Sequence, residues 1–159
     1  MRLAVFSALF LAALPAAALA MDEQATLSPE MLKWSAAPPA LPPGSEVAVL
    51  SGDPGGSGPY VVRVRMPANY KVPPHTHPTD ENVTVISGTL NVAMGATMDT
   101  AKGTALPAGG FFHAAKNMQH YAWSSGPTVI QIHGVGPFAI NYVNPADDPR
   151  ATTGTATKQ

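Results

Sequence analysis

The 159-residue chain predicts an all-β fold: a single-domain, antiparallel jelly-roll β-barrel with a short N-terminal helix. Three observations carry that expectation. Short runs of alternating apolar and polar residues recur roughly every eight to twelve positions with turn signals between them, the pattern of a sandwich or barrel. Proline (17) and glycine (14) are frequent while charged residues make up only 12%, which favours many turns over long helices. The length suits one domain that buries a core of its own, and the absence of cysteine means that no disulfide staples it.

Residues 1–20 read as a secretory leader. Arg2 supplies a positive start, Leu3 to Leu14 an apolar run, Pro15 a break, and Ala18-Leu19-Ala20 a small-x-small cleavage site, with the cut after Ala20. The run is too short to span a bilayer. The expectation is an exported protein, periplasmic or secreted, with no membrane association once the leader is removed. Residues 21–43 form an N-terminal arm and Pro-rich connector. Within Asp22 to Trp34, Ser28-Pro29-Glu30 places a cap before proline at the first helical position, so a helix of one or two turns is expected there. Ala36 to Gly44, with Pro38, Pro39, Pro42 and Pro43, should be extended and stiff.

Residues 44–145 carry the expected barrel. Strands are predicted at Val47–Leu50, Tyr60–Met66, His75–His77, Asn82–Ser87, Thr89–Met94, Thr104–Leu106, Gly110–Ala114, His120–Ser124, Thr128–His133 and Phe138–Val143. Pro67 to Pro74 reads as a turn and approach segment. Gly52 to Gly58 is a turn-rich loop without the Gly-Lys-Ser/Thr ending or the following helical pattern of a phosphate cradle. Residues 146–159 read as a polar, mobile tail.

Ten acidic residues against nine basic ones give a net charge of −1, and no run of like charge exists. This excludes the electrostatic footprint of nucleic-acid binding and a polybasic membrane patch. Without cysteine or a Gly-x-Ser-x-Gly elbow, nothing supports nucleophilic acyl chemistry.

Chemistry concentrates in Pro73-Pro74-His75-Thr76-His77-Pro78-Thr79-Asp80-Glu81. In extended backbone, His75 and His77 point to the same face. Glu81 can join them after the Pro78-Thr79-Asp80 turn. Two imidazoles and a carboxylate on one face are a partial coordination sphere for a first-row transition metal; the alternative is a solvated surface His-x-His. On Thr128–His133, Gln131 and His133 alternate against Ile130 and Ile132, which suggests a polar face inside the barrel with His133 contacting the ligand shell or the substrate; the alternative is an edge or surface histidine. His113 shares a face with Phe111 and reads as a core or rim histidine. Arg63 and Arg65 share a face with Val61, which is expected to be solvated. Tyr121 and Trp123 oppose His120 and should pack outside the cavity or at a subunit contact.

These residues resemble the motifs of the cupin superfamily. The first motif, Gly-x5-His-x-His-x3-Glu-x6-Gly, runs here as Asn69-x5-His75-x-His77-x3-Glu81-x6-Gly88, with Asn69 at the opening glycine. Asparagine tolerates left-handed backbone better than most residues, so a turn can survive there. The second, Gly-x5-Pro-x-Gly-x2-His-x3-Asn, fits Gly109-x5-Ala115-x-Asn117-x2-His120-x3-Ser124, with three positions replaced. A rival frame from Pro107-Ala108-Gly109 reaches His113 but needs one inserted residue. The resemblance spans about Leu41 to Arg150 and is to small secreted single-domain cupin proteins. It implies a jelly-roll barrel holding one divalent transition metal (Fe, Mn, Ni, Cu or Zn) on His75, His77, Glu81 and His120. It also implies a homodimer and a small-molecule ligand or substrate. Three functions stay open: a dioxygenase-like oxidoreductase acting on a small anionic or phenolic molecule; a non-redox metal-dependent isomerase, decarboxylase or lyase; and a non-catalytic metal or small-ligand binding or sensing protein. In the catalytic readings Glu81 is either a ligand or a detachable base, and His133 is a candidate catalytic residue.

Overall fold

A computed structural model of the protein describes residues 26–153. The leader expected over residues 1–20 and the last part of the tail lie outside the described residues. The described chain is an all-β sandwich of two antiparallel sheets. The strands are β1 (Ser35–Ala36), β2 (Glu46–Ser51), β3 (Pro59–Met66), β4 (Lys71–Thr76), β5 (Glu81–Ser87), β6 (Thr89–Met94), β7 (Thr104–Pro107), β8 (Phe111–Ala114), β9 (His120–Ser124), β10 (Thr128–Val135) and β11 (Asn141–Tyr142). One sheet has the order β1-β2-β3-β10-β5-β8 and the other β11-β4-β9-β6-β7.

Period-2 alternation builds the core between the sheets. Val62, Val64 and Met66 of β3, Val83 and Val85 of β5, and Ile130 and Ile132 of β10 turn inward, where they meet Val72 of β4 and Leu90 of β6. The intervening residues of β3 face out. Arg65 pairs with Glu46 at 2.7 Å and lies over the Trp34 ring, and Arg63 donates to Gln131 at 3.2 Å. This is the solvated face expected for the two arginines. The same register corrects the expectation for β10. Its aliphatic side, Ile130 and Ile132, is the inner one, so Gln131 faces out and His133 is exposed. Burial of isoleucine outweighs any polar lining that Gln131 and His133 could have supplied.

Several local readings also change. The N-terminal helix is only a 3-10 turn, Pro29–Met31, which does follow Ser28 at the cap and begins with proline. A two-residue strand that the sequence did not signal, β1, pairs with β2 at the start of the expected connector. Within the expected tail, Pro145–Asp147 forms a 3-10 turn and Pro149–Thr153 a short helix, α1. The last strand is limited to Asn141–Tyr142.

The most informative difference lies in β4, which runs straight through Pro73 and Pro74 instead of beginning after them. Its register against β9 shifts there: Val72 faces Ala122, yet His75 faces His120. One extra residue on β4 is thus absorbed in a bulge, the feature that lets proline sit inside a sheet. Without it, Val72 and His75 would point to opposite faces; with it, both point inward.

The turn positions of the two motifs share a backbone state. Gly88 (φ 77°) and Gly109 (φ 85°) are left-handed, and so are the two asparagines standing for glycine, Asn69 (φ 61°) and Asn117 (φ 62°). At Gly88 space is closed as well as conformation: an added Cβ would lie 2.4 Å from the Pro127 carbonyl and 2.7 Å from Thr128 Oγ1. Gly88→Ala is therefore expected to cost about 2–4 kcal/mol in urea unfolding. Gly126→Ala, where an added Cβ meets nothing within 4 Å, should stay within about 0.5 kcal/mol of the parent. Equal, small losses at both positions would contradict this account of the turn.

Candidate metal centre

Each site residue arrives by a different local route. His75 is the penultimate residue of β4 and His120 begins β9, and the two are direct cross-strand partners with ring centroids 4.3 Å apart. His77 lies just beyond β4, where its ring stacks on Phe138 at 4.7 Å. Glu81 is the first residue of β5, in the opposite sheet, on the inward face shared with Val83 and Val85. The Pro78-Thr79-Asp80 turn carries the chain from one sheet to the other, and the Asn117 N–H donates to the His77 carbonyl at 2.8 Å to fix that crossing. All four side chains are buried.

Hydrogen bonds set the imidazole tautomers. His75 Nδ1 lies 2.7 Å from the Pro73 carbonyl, His77 Nδ1 2.8 Å from that of Ala139, and His120 Nδ1 3.0 Å from that of Met118. A carbonyl oxygen can only accept, so each Nδ1 carries a proton and each neutral ring keeps its lone pair on Nε2. This is the arrangement in which metal-ligating histidines are held. Ligand atoms of His75, His77 and His120 lie within 4.8 Å of one another, so three histidines are positioned to bind a metal ion. Glu81 Oε2 stands 3.4 Å from both His77 Nε2 and His120 Nε2. Two donors each about 2.1 Å from one ion in tetrahedral array are also roughly 3.4 Å apart. His77 Nε2 is buried without a hydrogen-bond partner among the described residues.

The electrostatics agree. Lone pairs and a carboxylate face one another, and among the described residues no lysine or arginine lines the space around them. Burial, followed by the neighbouring His120 and His77, pushes the His75 pKa down to about 3, so this ring is neutral and available as a ligand at ordinary pH. Burial acts to raise the Glu81 carboxyl, but His120 and His77 outweigh it and hold the group ionised, well below the usual carboxylate range. Burial likewise acts against protonating His77, yet the Glu81 carboxylate and the Ala139 carbonyl raise its pKa. Once a cation takes the place of the proton on His77, the donor set is three imidazole nitrogens and one anionic oxygen, suited to a transition metal more than to calcium or magnesium.

The other sequence candidates lie elsewhere. His113 of β8 is exposed, 3.0 Å from Asn82 Oδ1 and paired with Asn82 across the sheet, so the rival frame leads away from the cluster. It is neither a core nor a cavity residue, because Phe112 is the member of β8 that turns toward the cavity. His133 is on the outer face, where its carbonyl accepts from Asn82 at 3.2 Å. Tyr121 and Trp123 stack together outside the cavity, beneath the 95–103 loop; Tyr121 donates to the Asp99 carbonyl, and Gly103 leaves room for the indole. Sequence reading missed the groups that orient the rings. For His75 and His120 the acceptor is the carbonyl two residues earlier, a short-range relation that becomes visible only once both are placed on strands. Ala139, Phe138 and Tyr142, whose ring lies 6.1 Å from that of His75, come from a distant segment with no local signal.

Acid should destabilise the metal-free fold. His75 has a depressed folded value, so its contribution is complete above the ordinary 6.5 and is lost as pH falls toward about 3. Glu81 has the same sign, its contribution being lost as pH falls below its ordinary 4.5. His77 has the opposite sign: its raised value stabilises below 6.5, and that gain disappears as pH rises through the folded value. The His77 contribution changes only above 6.5, so below it His75 and Glu81 predict a urea midpoint, measured with chelator present, that falls between roughly pH 6.5 and pH 3. In imidazole NMR titrations His75 should remain neutral at pH 5; a normal titration of His75 would contradict the burial argument.

A family model described as the ChrR cupin-like domain matches residues 22–139. No curated protein matches the chain. Among solved structures, the chain is similar to the polyketide cyclase RemF from Streptomyces resistomycificus, with a TM-score of 0.61 and 14% identity over 84% of this chain and 94% of that one. It is also similar to a candidate acetylacetone dioxygenase from Methylibium petroleiphilum PM1, with a TM-score of 0.61 and 18% identity over 85% and 96% of the two chains. An RmlC-like cupin from Shewanella frigidimarina NCIMB 400 superposes with a TM-score of 0.55 and 14% identity over 72% and 94%. At these identities the structural likeness shows the fold alone.

Proposed function

The chain belongs to the ChrR cupin-like domain family, and from that premise and the geometry of the site we propose that it is a metal-dependent oxidoreductase of the dioxygenase kind, acting on a small anionic or phenolic molecule. We read the two-sheet sandwich as a jelly-roll barrel. Its divalent transition metal is held by the Nε2 atoms of His75, His77 and His120 and by the Glu81 carboxylate. The observation that carries the catalytic reading is a cavity of about 310 Å³ bordered by all four of these residues. A purely structural metal site has no use for such a space.

When bound, the ion supplies Lewis acidity to an oxygen donor and, if redox-active, electron transfer for oxygen chemistry. The remaining contributions belong to the chain. The three carbonyls of Pro73, Ala139 and Met118 keep the Nδ1 protons in place and aim the Nε2 lone pairs. Glu81 stays ionised and lowers the net charge of the centre, leaving it matched to an anionic ligand. Phe138 covers His77, and Tyr142 flanks His75, limiting water at the rings. The two structural neighbours of equal similarity have different named activities, a cyclase and a dioxygenase, so the reaction must be decided at this site. The apolar leader supports export, and the family resemblance supports pairing of two copies.

Elemental mass spectrometry on protein purified without added metal or chelator is expected to find about one iron, manganese, nickel or copper ion per chain. His75→Ala and His120→Ala should each reduce metal affinity at least roughly tenfold, whereas His113→Ala and His133→Ala should leave it unchanged. Substrate-dependent oxygen uptake should require the redox-active ion and vanish with zinc. Turnover that persists with zinc and without oxygen would replace the dioxygenase reading by the Lewis-acid one. A protein that neither carries nor accepts an ion would leave a binding module with the fold alone.

A further inference from the structure

We propose that the ligand of this site has an apolar body and a single monoanionic oxygen head, and that the cavity excludes dicarboxylates and sugars. The inference rests on the metal reading above and adds the substrate class. Among the described residues whose side chains border the 310 Å³ cavity, only the four candidate ligands and Tyr70 carry nitrogen or oxygen. The Tyr70 hydroxyl is already engaged, 2.8 Å from Ser45 Oγ and donating to the Pro42 carbonyl. Carbonyls near the cavity are engaged as well. That of Ala139 accepts from His77 Nδ1, that of Ala40 from the Tyr142 hydroxyl, and that of Pro54 from the Phe138 N–H. The rest of the wall is hydrocarbon and thioether from both sheets, represented by Val64, Met66, Leu90, Val92 and Ile130.

This distribution leaves one place where a ligand can be polar. A head group that reaches the metal gains an electrostatic partner there. A second carboxylate elsewhere in the cavity would be buried without any cation, since no lysine or arginine among the described residues lines it. Each sugar hydroxyl would give up its water without gaining a partner. Each methylene, by contrast, leaves water for a hydrocarbon wall, which strengthens binding by about fourfold per CH₂.

The test is calorimetric titration of the full chain, first shown by elemental analysis to carry its ion, with acetate, butyrate and hexanoate against succinate, adipate and glucose. Affinity is expected to rise about three- to fourfold per methylene from acetate to hexanoate. Adipate should bind at least roughly tenfold more weakly than hexanoate, and glucose should give no binding heat. Val64→Phe should weaken hexanoate at least roughly tenfold while leaving acetate and metal content unchanged. If that variant does not fold, the chain-length series on the parent protein decides alone. A loaded protein with a flat series, or one that binds adipate or glucose as well as hexanoate, overturns the substrate class and leaves the metal reading standing. A protein that takes up no ion overturns both.

Discussion

Three imidazole lone pairs and one carboxylate face each other in the interior of this sandwich, and among the described residues no lysine or arginine lines the space between them. That constraint governs the rest of the site. Buried donors without a compensating charge are costly, so the cluster persists only with protons or a metal ion among its members. The two states compete for the same Nε2 atoms. The depressed value of His75 and the ionised state of Glu81 favour a metal near neutral pH, while the raised value of His77 favours a proton there. The carbonyls behind each Nδ1 make the arrangement rigid by fixing which nitrogen is free.

The fold brings these groups together with two devices. The bulge at Pro73-Pro74 changes the parity of β4, so that a strand already turning Val72 inward also turns His75 inward, directly against His120. The short turn after His77 then crosses between the sheets and delivers Glu81 as the first inward residue of β5. Candidate ligands from both sheets thus border one cavity whose other walls are largely apolar. A single polar end in an apolar chamber is a statement about ligand chemistry as much as about metal binding.

Much of this was legible in the sequence, for identifiable reasons. His75, His77 and Glu81 could be read from turn length and period-2 alternation, and His120 from the resemblance of its segment to the second cupin motif. The substitution of Asn69 and Asn117 for glycine was tolerable on the same grounds, and both adopt left-handed backbone. What escaped depends on tertiary context. Proline reads locally as a turn, so the bulge in β4 was mistaken for an approach to the strand. Alternation on β10 defines two faces without saying which meets the core, and expecting a polar lining put Gln131 and His133 on the wrong side. β1 is a two-residue strand that exists only because β2 offers it a partner. The acceptor for His77, the Ala139 carbonyl, is 62 residues away.

The most direct test of the central claim is anomalous diffraction at the absorption edge of whichever metal the purified protein carries. The account predicts one strong peak per chain, bounded by Nε2 of His75, His77 and His120 and by the Glu81 carboxylate. No peak there in crystals of protein supplied with the metal, or a peak at His113 or His133 instead, would contradict it.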